Sequence, residues 1–185
     1  MRKSLISGLA LLALCSQVSA TEVDISTNQG TIRVDLNDEA APKSVANFLR
    51  YADEGFYDGT IFHRVIRGFM IQGGGFTEDL GRKNTHQAVA YEGDNGLANN
   101  RGTLAMARTQ DPNSATSQFF INQVDNAFLN HGSRGAAGYT VFGEVVSGMD
   151  IVDAISAVPT STVGPYQNVP TEPVIIERKK HVTFF

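Results

Sequence analysis

Apolar and polar residues alternate at Val23 and Ile25, and again at Ile32, Val34 and Leu36, with Asn28-Gln29-Gly30 between the two runs. A period of two buries one side of an extended chain, and the Asn/Gly turn makes the pair an antiparallel hairpin. The period then changes. Val45, Phe48, Leu49 and Ala52 recur at i, i+3, i+4 and i+7, a helical stripe within 41–52. Pro42 suits the first turn, where its missing N–H costs nothing, and Gly55 suits the stop. Such a stripe has to cover something, here the open end of a sheet or barrel.

From Thr60 the pattern is strand-like again, over 60–66 and then 69–72, with Arg67-Gly68 between. Further strands are expected at Thr103–Ala107, Gln118–Asn122, Thr140–Val146 and Val174–Arg178. A second helix is expected over Ser147–Val158. Ser147 can cap it, Asp150 stands in its first turn, Ile151, Ile155 and Val158 share a face, and Pro159 ends it. Polar stretches rich in Gly and Asn at 76–102 and 108–116 read as long loops, which in a compact domain often carry function. There is no internal repeat. About eight short strands and two helices make a mostly-β domain, and closure into a barrel would remove exposed edges.

The first twenty residues follow another logic. Arg2 and Lys3 precede an apolar run from Leu5 to Leu14, and Val18-Ser19-Ala20 ends it with small residues. This is the pattern of a cleavable secretory signal with a cut after Ala20. The run is shorter than the ~20 residues needed to span a bilayer. Lipidation at Cys15 is the alternative, but Leu14 is bulkier than the small residue such a site prefers. The full chain of 185 residues carries 15 basic and 19 acidic residues. Residues 21–185 form one domain, long enough to bury a core without disulfides. Cleavage removes two basic residues and the sole cysteine, so the net charge moves from −4 to −6. A thiol-free chain suits an oxidising compartment. A soluble, monomeric protein of the bacterial periplasm is expected, with full secretion left open. The negative balance speaks against nucleic acid, and no later apolar run suggests stable membrane insertion.

Candidate chemistry concentrates in Ile61–Gly75. If the chain turns at Arg67-Gly68-Phe69, pairing residues whose numbers sum to 136 sets Ile66 opposite Met70 and Arg64 opposite Gln72. Alternation then puts Phe62, Arg64, Ile66, Met70 and Gln72 on one face. A permanently charged guanidinium would lie beside an amide and a thioether, edged by Phe69. A solvated arginine on an outer strand is the plainer alternative. A second segment carries Ala105–Thr109 and Ser117–Asn122, in which Phe119 and Phe120 point to opposite faces.

Other chemistries lack their residues. The four histidines form no helical i, i+4 pair and have no cysteine partners, so no metal is expected. His63 alternates away from Arg64 and reads as a satisfied buried or inter-strand histidine. There is no G-x-S-x-G elbow. Gly73-Gly74-Gly75 is followed by no Lys-Ser/Thr, so it is not a phosphate loop; it suits a sharp exit from a strand. No cofactor is called for. Asn130–Gly138, rich in glycine, reads as a mobile loop, either surface slack or a gate.

Taken together, Ala41–Phe48, Phe62–Gly74, Ser117–Ile121 and Val141–Val145 resemble, in this order along the chain, the motif blocks of the cyclophilin-type peptidyl-prolyl cis-trans isomerases. The similarity spans 21–183, and the run at 164–170 is similar to the periplasmic bacterial branch. The resemblance implies a closed eight-stranded antiparallel β-barrel with a helix over each end. It also implies an apolar pocket for a proline ring, lined by Phe69, Met70, Phe120 and Leu129, with Phe128 at its rim. Gln72 and Gln118 would hold the substrate backbone with the main chain around Ala107, Arg108 and Thr109, and Arg64 would be catalytic. Phe128 stands where many members have Trp, and Tyr139 stands at or near a usual His. Because Phe128 lacks an indole donor, weaker binding of the macrocyclic inhibitor cyclosporin is expected. The partners implied are proline-containing, unfolded or partly folded polypeptides. A non-catalytic proline-binding module and a holdase chaperone are the alternative functions; the presence of both Arg64 and Gln72 argues against the first.

Overall fold

The structure is a computed structural model and describes residues 21–183. The expected signal segment lies outside the described residues. β1 (Thr21–Thr27) and β2 (Gly30–Leu36) form the anticipated hairpin, with Val23 opposite Val34 and Ile25 opposite Ile32. All four side chains are fully buried.

α1 (Pro42–Asp53) begins with proline in its first turn, as expected. Its N-cap, Ala41, has no side-chain acceptor to offer the free N–H groups. Glu92, from the long loop, supplies the acceptors instead: one carboxylate oxygen accepts from Lys43 N at 3.0 Å, and the other accepts from Ser44 N and Ser44 Oγ, both at 2.8 Å. A carboxylate at this end also opposes the positive pole of the helix. The buried stripe is Ser44, Val45, Phe48 and Tyr51, while Leu49 and Ala52 are only partly covered. The stripe is rotated toward Tyr51 because its phenol oxygen has a buried use, accepting from His86 N at 2.9 Å. Phe48 stands at the centre of an aromatic cluster, 5.4 Å from the rings of Tyr57 and Phe119 and 5.2 Å from Phe142.

The remaining elements are β3 (Thr60–Ile61), β4 (Arg64–Ile66), β5 (Met70–Gly73), β6 (Thr103–Met106), β7 (Phe119–Asn122), β8 (Val141–Ser147), α2 (Met149–Ser156), β9 (Thr160–Val163), β10 (Tyr166–Pro170) and β11 (Ile175–Thr183). Nine strands form one curled antiparallel sheet in the order β3-β11-β1-β2-β8-β6-β7-β5-β4. The expectation of a closed eight-stranded barrel is therefore corrected. The sheet has two ends, and no ladder joins β3 to β4. The stretch 60–66 is not one strand. At Phe62 and His63 the chain leaves the β11 side, where Phe62 N still donates to Val174 O at 2.9 Å, and starts pairing with β5. This break also turns Phe62 inward, edge-on to Phe119 at 6.1 Å, and not onto the face of Arg64 as strict alternation predicts.

Two further expectations change. Ser147 does not cap α2. It ends β8, and Gly148 takes the N-cap position at φ +90°, where a Cβ would strike the Thr31 carbonyl. Residues 160–170, not anticipated as strands, form a separate two-stranded hairpin of β9 and β10. α1 packs on β11, and α2 packs on β2, β4 and β5.

Candidate active site

The hairpin register is as expected: Arg64 lies opposite Gln72, Val65 opposite Ile71 and Ile66 opposite Met70. β7 then sets Phe120 beside Gln72, and β6 sets Ala105 beside Phe120. Alternation divides the two faces. Val65, Ile71, Phe119 and Ile121 enter the main core, while Met70, Ala105 and Phe120 join Val141 in a second, smaller apolar cluster. Gly74 makes the sharp exit after β5. At φ +83° its missing Cβ leaves room for the Tyr57 and Phe119 rings.

Above the second cluster opens a cavity of about 360 Å³. Its apolar walls are Phe69, Met70, Phe120 and Leu129, with Tyr139 edge-on to Phe120 at 5.5 Å. Arg64, Gln72, Ala107 and Arg108 complete the lining. Phe128 is 51% exposed and stacks on Phe69 at 5.6 Å, extending the apolar rim. Gln118 and Thr109 do not line the cavity. Thr109 binds Ser114 Oγ through its N–H and hydroxyl.

Arg64 Nη1 donates to Gln72 Oε1 at 3.4 Å, and Gln72 Nε2 donates to Gln118 Oε1 at 3.1 Å. Gln118 thus orients Gln72 from behind. Among the described residues no carboxylate forms an ion pair with Arg64. Its positive charge and most of its N–H donors are left for whatever enters the cavity. Arg108 differs. Nε and Nη2 donate to Gly138 O at 2.8 and 2.6 Å, Nη1 donates to Thr109 O at 2.8 Å, and the guanidinium lies over Tyr139. It fastens the end of the Asn130–Gly138 loop beside the cavity.

His63 is buried against Phe76, with ring centroids 4.5 Å apart, but its Nδ1 has no hydrogen-bond partner, so it is not fully satisfied as expected. Burial, and then the neighbouring Arg64 charge, lower its pKa from the ordinary 6.5 to about 4. The imidazole is neutral at pH 7, and Arg64 is the local cation. The unfolded chain takes up this proton near pH 6.5 and the native one only near pH 4, so stability falls as pH drops through that window. The loss should reach roughly 3 kcal/mol by pH 4. Urea unfolding between pH 7 and 4 should show this slope in the wild type and a reduced slope in His63→Phe. Equal slopes would remove His63 as the cause.

Three residues near the cavity had no functional reading in the sequence. Asn99, Asn122 and Asn126 are buried to within 2% of complete coverage. Apart from the Asn122–Asn126 bond, their side-chain partners lie 19 or more residues away, so no local pattern marks them.

Comparison with known proteins agrees with the geometry. A family model described as "Cyclophilin type peptidyl-prolyl cis-trans isomerase/CLD" matches residues 22–181. Peptidyl-prolyl cis-trans isomerase A of Dickeya dadantii is 57% identical over 162 residues, covering 88% of this chain and 85% of that protein. Peptidyl-prolyl cis-trans isomerase B of Escherichia coli is 57% identical over 157 residues, covering 84% and 96%. Among solved structures, a Cryptosporidium parvum cyclophilin superposes with a TM-score of 0.72 at 28% identity, covering 90% of this chain and 99% of that one. A second crystal structure of that protein, in the presence of the dipeptide Ala-Pro, gives a TM-score of 0.70 at 28% identity, covering 88% and 99%. Strand register, cavity and sequence agree: the chain belongs to the cyclophilin-type peptidyl-prolyl cis-trans isomerases.

Proposed function

We propose that the cavity takes the ring of a substrate proline and that Arg64 catalyses rotation about the preceding bond. The observation that carries this reading is an arginine without an ion pair at the edge of an apolar cavity of about 360 Å³. An X–Pro bond resists rotation through amide resonance, with a barrier of ~18–20 kcal/mol. No covalent bond has to break, so the chemistry needs neither nucleophile nor metal. It needs a surface that favours the twisted amide over both planar forms. In the twisted state the prolyl nitrogen turns pyramidal and regains a lone pair. An N–H of Arg64 donates to that lone pair and opposes the return of resonance. Met70, Phe120 and Leu129 hold the ring. Gln72 and the main chain at Ala107 hold the peptide. The Ala-Pro dipeptide used with the Cryptosporidium relative is consistent with a site of this size.

The expected signal sequence and the acidic, thiol-free composition of residues 21–185 support a role in the bacterial periplasm, speeding proline-limited folding of exported polypeptides. Uncatalysed isomerisation takes tens to hundreds of seconds, slow enough to limit folding. The test is refolding of an exported protein whose slow phase comes from X–Pro isomerisation. Catalytic amounts of residues 21–185 should shorten that phase. A slow phase of unchanged length would reject the folding role.

Phe128 gives an independent check on the rim. Cyclosporin should bind the wild type weakly, and Phe128→Trp should tighten binding about two- to tenfold, the worth of one added hydrogen bond. Titration giving equal affinities would overturn this reading of the rim.

A further inference from the structure

The two walls of the cavity are joined behind its surface by a chain of buried side-chain amides. Asn126 Nδ2 donates to the Phe69 carbonyl at 3.0 Å and to Asn122 Oδ1 at 2.7 Å. Asn122 Nδ2 donates to Asn99 Oδ1 at 3.2 Å and to Thr103 Oγ1 at 3.0 Å. Asn99 Nδ2 donates to the Leu129 carbonyl at 3.2 Å. Donation starts at Asn126: three links run in series from it through Asn122 and Asn99 to Leu129 O, and a fourth runs the other way to Phe69 O. Both end carbonyls also serve main-chain donors: Gln123 N reaches Phe69 O at 3.0 Å, and Tyr139 N reaches Leu129 O at 3.0 Å. Asn126 N donates to Asn99 O at 2.8 Å just before the short turn that carries Phe128 and Leu129.

A buried amide is costly when unpaired and rigidifying when fully paired. The ladder alone does not require three such residues here, since apolar side chains could fill the same space. Their common product is a fixed spacing between the backbone of Phe69 on one wall and that of Leu129 and Tyr139 on the other. Arg64, Gln72 and Gln118 form a separate relay with no bond to this chain.

We infer that Asn99, Asn122 and Asn126 are positioning residues that set the width of the proline cavity, acting on substrate binding and not on the rotation step. The inference rests on the reading of this cavity as the proline site. An interaction felt equally by bound ground state and transition state changes KM and leaves kcat alone.

The test uses Asn126→Ala and Asn126→Asp in the full domain. Aspartate has nearly the shape of asparagine but turns acceptor lone pairs toward Phe69 O and Asn122 Oδ1. A packing role predicts that aspartate behaves like the wild type and alanine is worse. A positioning role predicts the order wild type, alanine, aspartate, with KM for an X–Pro peptide rising about three- to tenfold and kcat changing less than about twofold. In amide NMR spectra the Gln123 and Tyr139 signals should shift while those of Arg64 and Gln72 stay. Should the aspartate variant not fold, alanine alone decides, through the same KM and amide readings. Phe120→Ala, in the wall itself, separates the two levels of the argument. If it weakens binding while both Asn126 variants bind normally, the amide chain has no positioning role. If it too binds normally, the proline-cavity reading fails, and the inference with it.

Discussion

Arg64→Ala is expected to lower kcat/KM on an X–Pro peptide by on the order of 10²–10³. The effect is electrostatic. The proposed mechanism needs a donor that is present before the amide twists, aimed at a nitrogen that becomes basic only in the twisted state. Arg64 begins the edge strand β4, has Gln72 to orient it, and has no carboxylate to neutralise it. Preorganised donors of this kind are typically worth ~2.7–4 kcal/mol when deleted. The fold should tolerate the change, since the one side-chain bond lost is the long contact to Gln72. Arg64→Lys keeps the charge without the planar fork and should recover only part of the rate. A protease-coupled assay measures all three proteins. Full activity in a folded Arg64→Ala variant would sink the mechanism.

The largest expected effect on stability belongs to Phe48→Ala. Phe48 projects from α1 into the space shared by Tyr57, Phe119 and Phe142, and all four rings are fully buried. Truncation removes transfer free energy and leaves a cavity that three rigid rings cannot easily fill. The expected cost is about 3–5 kcal/mol. For a domain of this size that lowers the Tm by on the order of 10 °C. Phe48→Leu keeps much of the volume and should cost less than half as much. Thermal unfolding decides it; a loss below about 1 kcal/mol would mean that the surrounding rings collapse into the gap.

The same residues show why some of this was legible in the chain and some was not. The register of β4 against β5 follows from a short turn flanked by alternating residues, so simple arithmetic places Arg64 opposite Gln72. Met70 follows by the same alternation, whereas for Phe119 and Phe120 alternation gives only opposite faces, and the family resemblance singles out Phe120. The break at Phe62 and His63 is invisible locally, because all seven residues from Thr60 to Ile66 suit a strand. Tertiary packing decides it, by drawing Phe62 into the core. β9 is exposed along its whole length and so carries no period to detect. The second helix starts late because β8 runs on through Ser147, and Gly148 alone fits the turn between them. Leu129 and Tyr139 reach the cavity from loops, and only the family resemblance pointed to them. The buried asparagines were beyond reach because Asn99 finds its partners at 122, 126, 129 and 130 only once the chain has folded.

The open seam of the sheet bears on how this enzyme comes to life. β3 and β4 are neighbours in sequence, yet they lie at opposite ends of the strand order. Arg64 belongs to the strand at one end, held by a ladder to β5 alone. The ladders among β1, β2, β8 and β11 share no hydrogen bond with β4, so the strand that carries Arg64 can part from the sheet without breaking them. On the proposed mechanism, activity therefore reports on this margin, and mild denaturation that frees β4 is expected to abolish it before the rest of the sheet opens.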